Sequence, residues 1–158
     1  MKKGIALKAT AFSLSVFVIL LDQLTKYWAM THLVPYESIA VFPMFSWTLA
    51  FNSGSAFSFL SESGSWHMWF FAGFSALISL GLLVWILRIS STLFTQMLAL
   101  ALILGGAVGN LVDRFRFGYV IDFIDVYYKT YHWPVFNVAD SAICIGGVWL
   151  AILWAREK

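Results

Sequence analysis

Four long apolar runs divide the chain, at roughly Ala9–Met30, Trp66–Leu87, Leu93–Val112 and Val138–Ala155. A helix rising about 1.5 Å per residue needs ~20 residues to cross a hydrocarbon core of roughly 30 Å, and each run reaches or nearly reaches that length. Between the runs the texture changes. Residues 39–51 mix β-branched and aromatic side chains with partial alternation, which predicts one or two short strands interrupted at Pro43. Asn52-Ser53-Gly54-Ser55 is turn chemistry. Residues 115–136 have the same character, with a strand expected at Tyr119–Ile124. The pattern predicts an α-helical integral membrane protein of four transmembrane helices (9–30, 66–87, 93–112 and 138–155). A small β-rich extracytoplasmic subdomain is built from 31–65 and 113–137. Its aromatics are expected at headgroup level on the outer membrane surface.

Composition supports the bilayer. Hydrophobic residues make up 61% of the chain and charged ones 11%, against roughly 45–50% and about 25% in soluble domains. A length of 158 residues is expected to form one domain, too short for a membrane module plus a separate soluble enzyme. Met1-Lys2-Lys3 before an apolar run resembles a secretory leader, but no small-x-small cleavage pattern follows, so a retained helix is expected. The first connection, Thr31–Ser65, contains no lysine or arginine, whereas Lys2, Lys3, Lys8, Arg88, Arg156 and Lys158 fall on the other side. The positive-inside rule therefore expects both termini in the cytoplasm. All the acidic residues but Glu157 then lie at or beyond the outer face. The net charge of +2 comes with no basic stripe, so nucleic acid is not an expected partner, and a single cysteine permits no internal disulfide.

The polar residues of this apolar chain converge. Asp22 and Lys26 share one face of the first helix, four apart; Asn110, Asp113 and Arg114 share a face at the end of the third. Asn52 opens the first outer turn, Asp122 lies in the second outer segment, and Asn137 and Asp140 begin the fourth helix. All are expected at one depth, although they come from five places in the chain. Charges near hydrocarbon are functional candidates by default. Asp122 and Asp140 suggest water activation by a carboxylate pair sharing a proton. The start of a helix favours negative charge by roughly 0.3–1 kcal/mol, which makes Asp140 the expected more acidic partner.

Each residue also has a plainer reading. Asp22 and Lys26 form either a structural ion pair or a substrate contact, and Asn137 and Asp140 fit a helix N-cap with its N3 partner. Arg114 and Arg116 are able to snorkel to phosphate headgroups, Arg116 more simply so. Asp125 reads as a solvated strand residue, opposite in parity to Asp122. Gly105, Gly106 and Gly109 read as close helix packing, and Cys144 as a small buried hydrophobe. His32, His67 and His132 lack metal-ligand spacing, so no metal is expected. Phosphate-loop and nucleophile-elbow patterns are absent from the sequence.

Five blocks carry a resemblance: Asp22-Gln23-x-x-Lys26, Asn52-Ser53-Gly54-Ser55-Ala56-Phe57-Ser58, Gly105-Gly106-Ala107-x-Gly109-Asn110-Leu111-x-Asp113-Arg114, Val120-Ile121-Asp122-Phe123, and Phe136-Asn137-x-Ala139-Asp140-Ser141. In this order, with four spans, the chain closely resembles bacterial lipoprotein signal peptidases (signal peptidase II), aspartic proteases of the inner membrane. The resemblance implies cleavage of diacylglyceryl-modified prolipoproteins before the lipidated cysteine, at the outer or periplasmic face. Asp122 and Asp140 map onto the catalytic pair. Asn52, Gly54, Asn110, Asp113, Arg114 and Asn137 map around the site, with Asp22 and Lys26 supporting it. Globomycin-type inhibitors are expected to block the pair, no cofactor is implied, and the expected partners are the prolipoprotein and membrane lipids around a monomer. Residues 52–65 are expected to act as a lid. A proton-coupled transporter and a non-enzymatic assembly factor are the rival readings.

Overall fold

The computed structural model describes residues 2–54 and 66–156, so the expected lid falls, from residue 55 onward, outside the described residues. Helix α1 spans Lys2–His32, strands β1 Ser38–Phe42 and β2 Phe45–Asn52, helix α2 Trp66–Arg88 and helix α3 Phe94–Phe117. Strands β3, Val120–Tyr128, and β4, Tyr131–His132, precede helix α4, Val138–Arg156. All four helices are long and apolar enough to cross a membrane. Helix α1 begins at Lys2 rather than Ala9, extending beyond the apolar run.

Helix α3 is the hub and packs against α1, α2 and α4. Small residues permit that closeness, because lipid tails supply no hydrophobic drive and contact must come from van der Waals fit. A Cβ on Gly106 would collide with the Ala139 carbonyl and the Ile143 side chain of α4, and one on Gly105 would strike Ser15 and Val18 of α1. Away from the sheet, Ala11, Ile86, Met97, Leu100 and Leu150 form an apolar core between the helices. Side chains such as Phe17, Leu24 and Leu77 face outward, as lipid requires.

The sheet is antiparallel in the order β1-β2-β3-β4 and sits at the end of the bundle where α1 and α3 finish and α4 starts. Pro43 lies in the β1–β2 turn, and Met44 there takes a positive φ of 72°. A register shift between Trp47 and Ala50 lets Ala50 pair with Asp122 and Asn52 with Val120. Gly118, at φ 83°, ends α3 and turns the chain into β3. Beneath the sheet, Leu33, Leu49, Ile121 and Phe123 close a second core.

One expectation about the sheet is overturned. Asp125 is not a solvated strand residue: it is 2% exposed. Thr48 Oγ1 donates to it at 3.0 Å and His132 Nδ1 lies 2.9 Å from its carboxylate, so neighbouring strands close over that face.

The packing yields a direct test. Gly106→Leu is expected to lower stability by about 1–3 kcal/mol through overpacking. Gly147→Leu, on a face with open space around it, is expected to stay within about 0.5 kcal/mol. Thermal unfolding of the purified protein in detergent measures both.

Candidate active site

The site is assembled around Lys26, whose side chain is 1% exposed on α1. Its ammonium group has three donors and three acceptors: Asp22 Oδ2 at 2.8 Å, Asp113 Oδ2 at 2.7 Å and Asn110 Oδ1 at 2.9 Å. Each acceptor carries the constraint onward. Asp22 Oδ1 accepts the Ala139 backbone N–H at 2.9 Å, one of the unpaired donors of the first turn of α4. Asp113 Oδ2 accepts the Ile121 backbone N–H at 3.2 Å, fixing β3 beside α3. Gly109 leaves room for this cluster, since a Cβ there would meet the Asp22 carboxylate.

The third acceptor leads to the acidic pair. With Asn110 Oδ1 turned to the ammonium, its Nδ2 donates to Asp140 Oδ1 at 2.7 Å. Asn137, fully buried, donates from Nδ2 to Asp122 Oδ1 at 2.7 Å and lies 3.1 Å from Asn110 Oδ1. Asn137 also caps α4: its Oδ1 accepts the Asp140 N–H at 2.8 Å, and Asp140 Oδ2 accepts the Asn137 N–H at 3.3 Å. The reciprocal bonds form a capping box, so the N-cap reading and the site reading of these residues hold together. Asn52 donates to Asp122 Oδ2 at 3.0 Å, while its Oδ1 accepts the Gly54 N–H at 2.9 Å. Gly54 has a φ of 87°, and a Cβ would strike the Phe71 ring, so glycine is required where the turn orients Asn52.

The two acids differ in setting. Asp122 is 2% exposed and Asp140 half-buried. Burial pushes the Asp122 carboxyl up, and the Asp140 charge adds to the rise; hydrogen bonds from Asn52 and Asn137 and the Lys26 charge oppose it, leaving it at about 7. Among the described residues, Asp22, Asp113, Asp122 and Asp140 face two cations, Lys26 and Arg114, which is a reason for one proton to stay. Arg114 lies half-buried within reach of the charges of Asp140, Asp113 and Asp122, and its guanidinium makes a long 3.4 Å bond to the Asn110 carbonyl. Two cavities meet at Asp140. One, of about 470 Å³, is lined by Asn52, Phe136, Ser141 and Cys144 among others. The other, of about 340 Å³, lies between α2, α3 and α4 and includes Phe71, Phe74, Asn110 and Arg114. Among the described residues, no three His, Cys, Asp or Glu side chains are grouped to hold a metal ion.

All ten candidate residues are thus brought together: Asp22, Lys26, Asn52, Gly54, Asn110, Asp113, Arg114, Asp122, Asn137 and Asp140. Gln23, for which the sequence suggests no role, donates from Nε2 to Asp113 Oδ1 at 2.8 Å and to the Gly109 carbonyl at 3.2 Å. Its place between Asp22 and Lys26 in the first motif was the available signal. Cys144, expected as a small buried hydrophobe, is exposed and lines the larger cavity.

Residues 14–156 match the family model described as signal peptidase (SPase) II. The chain belongs to the signal peptidase II family. A lipoprotein signal peptidase of Acinetobacter baumannii strain ATCC 17978 is 50% identical over 139 residues, covering 88% of this chain and 79% of the relative. One from Hydrogenovibrio crunogenus is 42% identical over 147 residues, covering 92% and 86%. A bacterial membrane enzyme solved by the in meso method at 1.9 Å superposes with a TM-score of 0.84 at 32% identity, covering 95% of both chains. As a signal peptidase II the chain is an aspartic-type, multi-pass membrane protease.

Lys26→Met leaves Asp22 and Asp113 buried without their cation, and removing one partner of such a cluster costs about 3–5 kcal/mol. A large fall in the unfolding midpoint in detergent is expected. An unchanged midpoint would show that the cluster does not organise the helices.

Proposed function

We propose that this chain removes the signal peptide from diacylglyceryl-modified prolipoproteins, cutting immediately before the lipidated cysteine, with Asp122 and Asp140 as the pair that activates water. The carrying observation is the unequal setting of two acids in one network: Asp122 buried and raised to about 7, Asp140 at the meeting of two cavities. Membership of the signal peptidase II family supports the prolipoprotein substrate.

The chemistry requires one proton on the pair. Asp140, at the helix start where negative charge is favoured, takes a proton from water as the water oxygen attacks the scissile carbonyl carbon. Asp122 gives its proton to the carbonyl oxygen, forming a neutral tetrahedral diol. On collapse, Asp140 passes its proton to the departing nitrogen and Asp122 recovers one from the diol. A new carboxyl end and a free amine on the lipidated cysteine result. Asn52, Asn110 and Asn137 aim the two carboxyls, Gly54 orients Asn52, and Arg114 offers N–H donors toward the substrate. Asp22, Lys26 and Asp113 hold the frame and are not assigned to the bond being cut.

Lys8 and Arg88 lie at the bundle end remote from the acidic pair, where Lys8 Nζ donates to the Leu87 carbonyl. With the positive-inside rule this supports cytoplasmic termini and a site at the outer, periplasmic face of the inner membrane. The reading is of a monomer surrounded by lipid, inhibited by globomycin-type cyclic peptides competing at the pair. The apolar core between the helices disfavours a transporter, which needs polar groups near mid-bilayer.

Asp122→Asn and Asp140→Asn are each expected to lower cleavage of a diacylglyceryl prolipoprotein peptide by at least about 10³-fold with helical content unchanged, within the general acid–base range. The pH dependence has a definite sign. Asp122 holds its proton below about 7 and loses it above, so kcat/KM should fall as pH rises through that value. Undiminished cleavage by either variant would overturn the assignment.

A further inference from the structure

The cavity beside Asp140 does not end at Cys144. That residue also lines an apolar groove of about 430 Å³ on the outward face of α4, continued by Ile145, Val148, Trp149 and Ile152. Asp140, Cys144, Val148 and Ile152 stand four residues apart, each step turning about 40° around α4, so they wind gradually along the helix for about 18 Å from the site toward the opposite end of the bundle. Ile145 and Val148 are 60% and 61% exposed, and no charged side chain lines the groove. The opposite cavity is different in kind, since Arg114 and Asn110 share it with aromatic rings of α2.

We propose that this groove on α4 seats an acyl chain of the substrate's diacylglyceryl cysteine and makes Val148 and its neighbours determinants of acyl-chain specificity. The inference rests on the reading of Asp122 and Asp140 as the catalytic pair. The lipid is attached to the residue next to the scissile bond, so its chains must leave from the immediate surroundings of Asp140. A path that starts there, is apolar from Cys144 onward and runs down α4 into the hydrocarbon layer meets that requirement. The Arg114 cavity suits the other half of the substrate: a signal helix entering from the cytoplasmic side presents its carboxyl end, whose free carbonyls favour a cation. Lipid tails are already in an apolar medium, so the groove selects by contact and registration rather than by hydrophobic transfer.

The test uses full-length enzyme in detergent with prolipoprotein peptides carrying short, medium or long diacylglyceryl chains. Wild type is expected to bind long chains better. Val148→Trp, on an exposed face that tolerates a larger side chain, should raise KM for the long-chain peptide on the order of tenfold with kcat unchanged, leaving short-chain peptides unaffected. Phe74→Trp, in the opposite cavity, should change KM equally for every chain length. A second readout needs no turnover: in Asp140→Asn, long-chain peptide should slow alkylation of Cys144, the one cysteine of the chain, and short-chain peptide should not. The proposal is overturned if Val148→Trp keeps the wild-type chain-length dependence, if it shifts all lengths alike, or if Cys144 is equally reactive with and without long-chain peptide. Absence of cleavage by wild type would strike the reading of the pair instead, and Cys144 protection would still report on the groove.

Discussion

A single buried ammonium organises this membrane protein. Lys26 lies where a charge without partners is prohibitive, and its three donors are all answered by side chains of other turns or elements. Asp22 ties it to the first turn of α4, Asp113 to β3, and Asn110 to Asp140. The cost of burying the charge is offset only while every partner is in place, so the cluster acts as a lock on relative helix position. The glycines of α3 make the lock reachable, because α1 and α4 must come within backbone distance of it.

The same lock sets the chemistry apart from the scaffold. Lys26 touches neither Asp122 nor Asp140; it fixes the amide of Asn110, which then has only its donor side to offer Asp140. Asn137 repeats the device toward Asp122 while capping α4. Two asparagines thereby convert one positive charge into the orientation of two carboxyls. Among the described residues four acids face two cations, which leaves the network short of positive charge, and Asp122, buried without the direct ion pair to Lys26 that Asp22 and Asp113 have, is where retaining a proton relieves it.

Much of this was legible from the chain. Apolar runs of spanning length marked the four helices, and the break at Pro43 marked the hairpin. The i, i+3 and i+4 spacings put the polar residues on common faces. What failed depended on neighbours distant in sequence. Asp125 has the parity of an outward strand residue, but Thr48 and His132 from flanking strands close over it. Gln23 lies about 100° around α1 from Asp22, off the expected face; only the approach of Gly109 and Asp113 gives it partners. The register shift between Trp47 and Ala50, which positions Asn52 near Asp122, leaves no mark in local composition. Cys144 is exposed rather than buried, a difference that lies beyond local sequence because lipid-facing and cavity-facing surfaces of a membrane helix look alike in composition.

Infrared titration of the carboxyl C=O band in the purified enzyme, alongside Asp122→Asn, reports whether a shared proton resides on Asp122. A protonated carboxyl signal is expected at mildly acidic pH, lost as pH rises through about 7 and missing from the variant. A signal that persists in Asp122→Asn, or no protonated carboxyl at all below neutrality, would contradict that assignment.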